Sequence, residues 1–406
     1  MTGIEYDLTI NEAYKAPWLT VKAALPLVDV RITRPRNEEV IMWGQRDSDR
    51  IPLITQNGSQ PIYNFDIGKT LRAIMCDNAF VSRRPLYARL PFDIRRIVPK
   101  KFRRNIKKIQ SFFHFSAKNQ NFPQWPIEPS LMALHSVFLK TGVLNKLQYP
   151  DNKRYGVCMT HDIDSIDSYK SIPLVSTILR KKNIPATWFL LSSDYTLDSH
   201  YLRDLIASGD ELASHGDVHD NKLAFLPEKE MVARLRLIAG VFDELTGTQV
   251  GLRSPSLYMT RMLRKNISKK FLYDSSCVDT GILSPDPGRG GCGYLFPYSI
   301  EGVVHMPITL PLDSSLVFQG IRGDALFETW MKKLAFIKAV GGVAVLCAHP
   351  EPHLLMQKDV LAQYSRFVDT VAADHEAYCC RMKDLVSLYN QQRVQKKIDI
   401  FNDSAK

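Results

Sequence analysis

From Arg154 onward, short apolar runs rich in β-branched and aromatic residues alternate with longer stretches of helical periodicity. This alternation constrains the fold more than any other feature of the chain. Strands are expected at 155–160, 186–191, 211–214, 250–252, 272–274, 303–310, 342–347 and 377–381. Helices are expected between most of them, as at 228–245 and 323–340. Apolar runs without polar alternation suit a parallel sheet covered on both faces. Strand and helix in regular succession over some 240 residues read as an α/β fold, a β/α barrel in size. No sequence repeat accompanies the structural one.

The first 150 residues are different. They hold 23 Lys and Arg against 12 Asp and Glu, whereas the rest of the chain holds 30 of each, so the whole net charge of +11 originates there. Such asymmetry predicts two parts with different surroundings. Short strands and turns are expected from Ile51, with a hairpin turning at Asn57-Gly58. Between 94 and 115, Phe102, Ile106, Ile109 and Phe113 recur at helical spacing, and Lys101, Arg103, Arg104, Lys107 and Lys108 fall mainly on the other side. This basic amphipathic helix suits either packing on its own domain or contact with an anionic membrane surface or acidic glycan. Nucleic acid is the weaker partner, because no reader motif accompanies the charge. The expected organisation is a basic N-terminal α+β region over 1–115, a linker and leading helix over 116–150, the barrel over 151–395 and a tail over 396–406.

Seven scattered cysteines without a CxxC pair suggest neither a disulfide framework nor a thiolate zinc site. The opening residues show no charged and apolar signal-peptide regions. The expected location is therefore cytoplasmic, peripheral at the inner membrane face.

The chemistry gathers at strand ends. Asp162 and Asp164 are two apart in an extended segment, so both carboxylates can face one cavity. One would suit metal binding and the other proton transfer. The same stretch also suits a helix cap, since Asp164 and Ser165 are good N-cap residues. His215 and His219 are four apart, the spacing that sets two imidazoles on one side for metal ligation, although a polar loop with incidental histidines has the same appearance. One Asp and two His make an open, three-ligand site with room for water and substrate. Arg253 closes another strand and could hold a carboxylate, and His349 ends the apolar run 342–347 where a proton donor would be useful. His353 reads as incidental.

In order, Asp-x-Asp, His-x-x-x-His, Arg-x-Pro and Leu-x-x-His resemble the polysaccharide deacetylase family, that is, the NodB-homology or carbohydrate esterase family 4. Asn183-Ile-Pro-Ala-Thr-Trp-Phe-Leu190 looks like the family's second strand, and Tyr273-Asp274-Ser275-Ser276 resembles its fourth motif. The resemblance covers roughly 150–390. It implies a distorted (β/α)7 barrel with its site at the strand C-termini. It also implies a divalent metal, usually zinc, held by Asp164, His215 and His219, and a substrate that is an N-acetylated sugar or glycan. Asp162 would be the general base held by Arg253, and His349 would protonate the departing amine. Asp274 would orient His349, and a backbone N–H beside Pro255 would meet the oxyanion.

Three departures stand out. Ile163 separates the two aspartates, which are adjacent in the common motif, so an exchange of their roles stays open. Gly216 replaces the usual Ser or Thr after the first histidine, and Ser256 replaces the usual aromatic residue after Arg-x-Pro. The expected activity is removal of an N-acetyl group from a cytoplasmic or lipid-linked precursor of a surface polysaccharide. A hydrolase of non-sugar amides and a non-catalytic glycan-binding protein are the competing readings.

Overall fold

The structure, a computed structural model, describes residues 146–268, 270–281, 291–300 and 302–394, with 125–128, 132, 135 and the backbone of four short strands near the N-terminus. Those four strands form two antiparallel ribbons: β1 (Asp29–Ile32) with β2 (Ile41–Gly44), and β3 (Ile54–Asn57) with β4 (Gln60–Tyr63). In the second ribbon Asn57, expected to open the turn, is still a strand residue paired with Gln60. The basic helix expected at 94–115 and the tail at 396–406 lie outside the described residues.

The main body begins with β5 (Tyr155–Ile163), every residue of which is buried. On one side β5 pairs in parallel with β10 (Val343–Ala348), and on the other with β6 (Ala186–Leu190), which in turn pairs with β7 (Glu211–Ser214). Single parallel bridges then carry the sheet from Ser214 to Leu252, to Asp274 and to His305. His305 ends β9 (Val303–His305), which is preceded by its hairpin partner β8 (Tyr298–Ile300). The ring closes where the Thr309 and Leu310 N–H groups both donate to the Val345 carbonyl of β10. Among the described residues this makes seven staves, the (β/α)7 barrel expected from the sequence. A further strand, β11 (Ala377–Cys379), pairs with Tyr155–Val157, the stretch of β5 that β6 does not reach.

The helices are α1 (Ile166–Arg180), α2 (Ser199–Ala207), α3 (Glu228–Thr246), α4 (Arg261–Ile267), α5 (Asp313–Phe318), α6 (Asp324–Val340), α7 (Lys358–Ala373) and α8 (Met382–Val394). Several begin at side-chain caps that satisfy first-turn N–H groups. Asp198 caps α2 and Thr260 caps α4. At α1 a reciprocal capping box joins Ser165 and Ser168. Ser165 therefore takes the capping role for which Asp164 was also suited, and the Asp164 carboxylate stays available.

Alternation along the strands divides the core in two. Val157, Met159, Trp188, Leu190, Leu212, Leu252, Ala344 and Leu346 belong to one cluster, packed under the helices. Cys158, Phe189, Ala213, Tyr273, Val345 and Cys347 belong to a second, which fills the barrel together with Met382 and Leu385 at the start of α8. The two-residue period of a strand produces this division, and it decides which polar residues reach the barrel interior. Gly251 is required by this packing: a Cβ there would lie 2.0 Å from the ring of Tyr273.

Residues 125–128 fall within the expected linker, yet they dock on the barrel. The Pro126 carbonyl accepts hydrogen bonds from Lys333 (2.7 Å) and from the Thr280 hydroxyl (3.2 Å). Lys333 is fully buried and paired with the Asp279 carboxylate. Nearby, His135 stacks on Phe296 with centroids 4.2 Å apart.

Candidate active site

Strand parity aims the first two carboxylates. Cys158, Thr160 and Asp162 share the inner face of β5, whereas Ile163 packs in the outer core. Asp164 follows, again on the inner side, just before the Ser165 cap. The separation by Ile163 is therefore what two inward carboxylates on one extended segment require. The Tyr195 hydroxyl fastens this end of the strand by donating to the Ile163 carbonyl (2.8 Å) while accepting from the Leu191 N–H.

Asp164 meets the two histidines. Its Oδ1 lies 3.1 Å from His215 Nε2 and 3.6 Å from His219 Nε2. His215 Nδ1 lies 2.8 Å from the Arg253 carbonyl, which can only accept, so Nδ1 carries the proton and the Nε2 lone pair is turned toward Asp164. Asp164 Oδ1 is buried and has no hydrogen-bond partner. Three acceptor atoms thus converge, all within 4.8 Å of one another. Four-coordinate zinc bonded at about 2.1 Å would space its ligand atoms about 3.4 Å apart. The two measured separations bracket that value, and the donor set of one carboxylate and two imidazoles suits the ion. With no cation between them, burial disfavours the Asp164 carboxylate, but His219 and His215 in their protonated forms outweigh it and hold the carboxyl well below the usual carboxylate range.

Asp162 is held differently. Its Oδ1 accepts from Arg253 Nη1 at 2.6 Å, and its Oδ2 accepts from the Cys347 thiol at 3.3 Å. Burial opposes ionisation of Asp162, but the Arg253 guanidinium, with His215 and His349, outweighs it and lowers the pKa. Burial also raises the Cys347 thiol well above its ordinary value, with the Asp162 charge acting in the same direction, so the sulfur stays protonated as a donor. Arg253 is itself fully buried, 3.9 Å above the Phe189 ring, with further bonds to Thr160 Oγ1 (2.9 Å) and to the carbonyl (3.1 Å) and hydroxyl (2.9 Å) of Ser275. Such a fork fixes the orientation of Asp162 as well as its charge. Asp162 Oδ2 lies 4.0 Å from His215 Nε2 and 3.9 Å from His349 Nε2, between the convergent ligand set and the last histidine.

His349 is oriented by Asp313, and here the structure corrects the expectation that placed Asp274 in this role. Asp313 Oδ1 lies 2.6 Å from His349 Nδ1, and Asp313 Oδ2 accepts the His349 backbone N–H at 2.8 Å. Burial works against the imidazolium, but Asp313, assisted by Asp164 and Asp162, pushes the His349 pKa up to about 10. Asp274 Oδ2 instead lies 2.9 Å from His305 Nδ1, and its Oδ1 accepts from Ser276 Oγ. The reason is parity: Leu252, Asp274 and His305 are bridge partners, so they share the outer face, and Tyr273 takes the inner one. Asp313 begins α5 immediately after the 303–310 run, at a strand end like the other site residues. Applying the strand-end criterion to that run would have found it.

His161 points to the outer layer, stacked on Trp188 at 4.4 Å and bonded to Tyr364 Oη at 2.8 Å, and burial lowers its pKa to about 3. His353 lies 3.8 Å from Glu351, whose carboxylate accepts from the Ser165 hydroxyl at 2.5 Å. After Arg253, Ser256 and Leu257 both adopt positive φ, 55° and 58°, and the Ser256 hydroxyl bonds Asn221 Oδ1 at 3.0 Å.

Residues 151–271 match the family model for polysaccharide deacetylase. This stretch, the first half of the barrel, is thus similar to the polysaccharide deacetylase family. The chain is 23% identical over 148 residues to the peptidoglycan deacetylase of Helicobacter pylori, a match that covers 36% of this chain and 50% of the relative. It thus spans about half the length of that curated relative. A putative polysaccharide deacetylase from Mycobacterium smegmatis has the same fold, with a TM-score of 0.52 at 21% identity over 62% of this chain and 95% of that one. A probable polysaccharide deacetylase from Pseudomonas aeruginosa PAO1 aligns at a TM-score of 0.48 and 15% identity, over 61% of this chain and 95% of that one.

Proposed function

We propose that the barrel is a zinc-dependent N-deacetylase acting on an acetylated sugar. The observation that carries this reading is the convergence of Asp164, His215 and His219 beside an independently anchored carboxylate, Asp162, with His349 on its far side. A zinc ion bound by the three ligands would polarise an acetamide carbonyl and make water more acidic. Asp162, ionised and fixed by Arg253, takes the proton of the attacking water through Oδ2. His349, kept protonated by Asp313, gives its Nε2 proton to the amine nitrogen as the C–N bond breaks. This division assigns the base role to Asp162 and the ligand role to Asp164: only Asp164 faces both imidazoles at 3.1 and 3.6 Å. Acetate and a free amino sugar leave.

The reading extends to substrate and place: a cytoplasmic or lipid-linked precursor of a surface polysaccharide, reached at an anionic membrane face. The support is the positive excess carried by the first 150 residues. Acetate release across a panel of N-acetylated sugars, lipid-linked and free, with non-sugar amides alongside, tests it. Turnover of sugar acetamides alone is expected. Turnover confined to non-sugar amides would remove the sugar from the proposal.

A further inference from the structure

The span that presents His215 and His219 is gripped from α3 by the side chain of Arg234. We propose that Arg234 is a positioning residue that sets the affinity of this site for its metal. The proposal rests on the reading of Asp164, His215 and His219 as ligands.

Backbone bonds anchor the start of the span, where the Gly216 and Asp217 carbonyls accept from the Ser192 (3.0 Å) and Ser193 (2.9 Å) N–H groups, and the stretch beyond them carries His219. Gly216 has φ +90°, and a Cβ there would lie 3.2 Å from Pro255 Cγ, so a side chain at this position would be strained by the backbone and crowded by the proline. Asn221 closes the turn, also at positive φ (61°). From α3, Arg234 Nε donates to Asp217 Oδ2 at 2.5 Å and Nη2 donates to Asp220 Oδ1 at 3.1 Å. These two carboxylates bracket His219, two residues before it and one after. A guanidinium presents its donors in a rigid plane, so bonding both carboxylates fixes the chord on which His219 sits. The arginine and both aspartates are largely buried, with 17 to 19% of each side chain exposed, so water competes weakly for these bonds.

The division of labour between the two ligands follows. The His215 ring is oriented directly, by the Arg253 carbonyl. His219 is the more exposed ring, and its distance to Asp164 is the longer of the two. It sits on the backbone between Asp217 and Asp220, whose two side chains Arg234 joins. Groups behind a metal's ligands commonly change affinity by 10- to 100-fold when removed.

The test measures the zinc dissociation constant of the full chain by competition with a chromophoric chelator. Wild type is compared with Arg234→Gln, Arg234→Lys and Asp217→Asn. Lys338→Gln, which breaks a comparable ion pair with Asp374 and Glu376, is the control. Thermal melting of each metal-free protein accompanies the titration. Arg234→Gln should weaken zinc binding about 10- to 100-fold while melting no lower than the control. Arg234→Lys should fall between, because a point charge replaces a fork. Lys338→Gln should bind as wild type does. Zinc binding by Arg234→Gln within twofold of wild type overturns the proposal, and so does a lowered melting temperature with unchanged affinity. If Arg234→Gln does not fold, Asp217→Asn decides by the same criterion, with at least a threefold weakening expected. A wild-type chain that binds no zinc overturns the ligand reading itself, and this role with it.

Discussion

The barrel contains two aspartate–histidine pairs of nearly the same geometry and opposite circumstances. Asp313 and His349 are 2.6 Å apart at the C-terminal mouth, with the ring partly open and its Nε2 turned toward Asp162. Asp274 and His305 are 2.9 Å apart with neither side chain exposed, on the outer face beneath Tyr298. The chemistry of the groups is alike. What separates the proposed proton donor from a piece of core is placement: His349 and Asp313 lie just beyond strand ends, whereas Asp274 and His305 lie on the outer face of the sheet. A carboxylate next to an imidazole is therefore weak evidence of catalysis until its face of the sheet is known.

The comparison is broken most forcefully by removing one histidine from each pair. His349→Ala should lower kcat by roughly 10²- to 10⁴-fold, the usual worth of a positioned acid. His305→Gln should leave kcat within about twofold and cost about 1–3 kcal/mol of stability, because the Asp274 oxygen facing it loses its partner in the core. Steady-state acetate release and urea unfolding on the same preparations separate the two outcomes. A large kcat loss in His305→Gln would dissolve the distinction.

The pH dependence of stability gives a second contrast. The His349 pKa is raised in the folded state from 6.5 to about 10. The raised value means that the folded form binds the proton more tightly than the unfolded one. The stabilisation is thus fully present below about pH 6.5 and is lost as pH rises through about 10. Urea unfolding of the metal-free protein between pH 6 and 11 should show this decline, and Asp313→Asn should flatten it. A bound cation near Asp164 opposes His349 protonation, so zinc should move the decline to lower pH. Equal slopes in wild type and Asp313→Asn would show that Asp313 does not hold the proton.

The smallest expected effect is that of Cys347. Its thiol is a weak donor, and Arg253 supplies the stronger hold on Asp162. Cys347→Val should reduce kcat by about three- to tenfold with KM unchanged, and Cys347→Ser should recover most of the loss. A wild-type kcat in Cys347→Val would make the thiol part of the packing alone.

Much of the barrel was legible because each stave is a short apolar run. Glu211–Ser214 was expected to the residue, and β5 was expected to end at Thr160 but extends to Ile163. The extension is itself informative: it is what carries Asp162 on the strand. Asp162, Asp164, His215, His219, Arg253 and His349 were legible as polar residues at the ends of such runs. Asp274 satisfied the same description and was misplaced, since the register that aligns it with Leu252 and His305 comes from pairing across the sheet. Arg234 was beyond reach for another reason. It stands in the middle of a helix, 15 residues after His219, and only the packing of α3 against the loop brings it to Asp217.

The central claim is that an ionised Asp162 acts beside a metal held by Asp164, His215 and His219. One measurement addresses it most directly: acetate release from an N-acetylated sugar by wild type and by Asp162→Asn. Each protein is assayed as purified, after chelation and after zinc is restored, with zinc content recorded at every stage. The account predicts that wild-type activity disappears on chelation and returns with zinc, while Asp162→Asn binds zinc and stays inactive throughout. Activity that survives complete removal of metal, or an active Asp162→Asn, would contradict it.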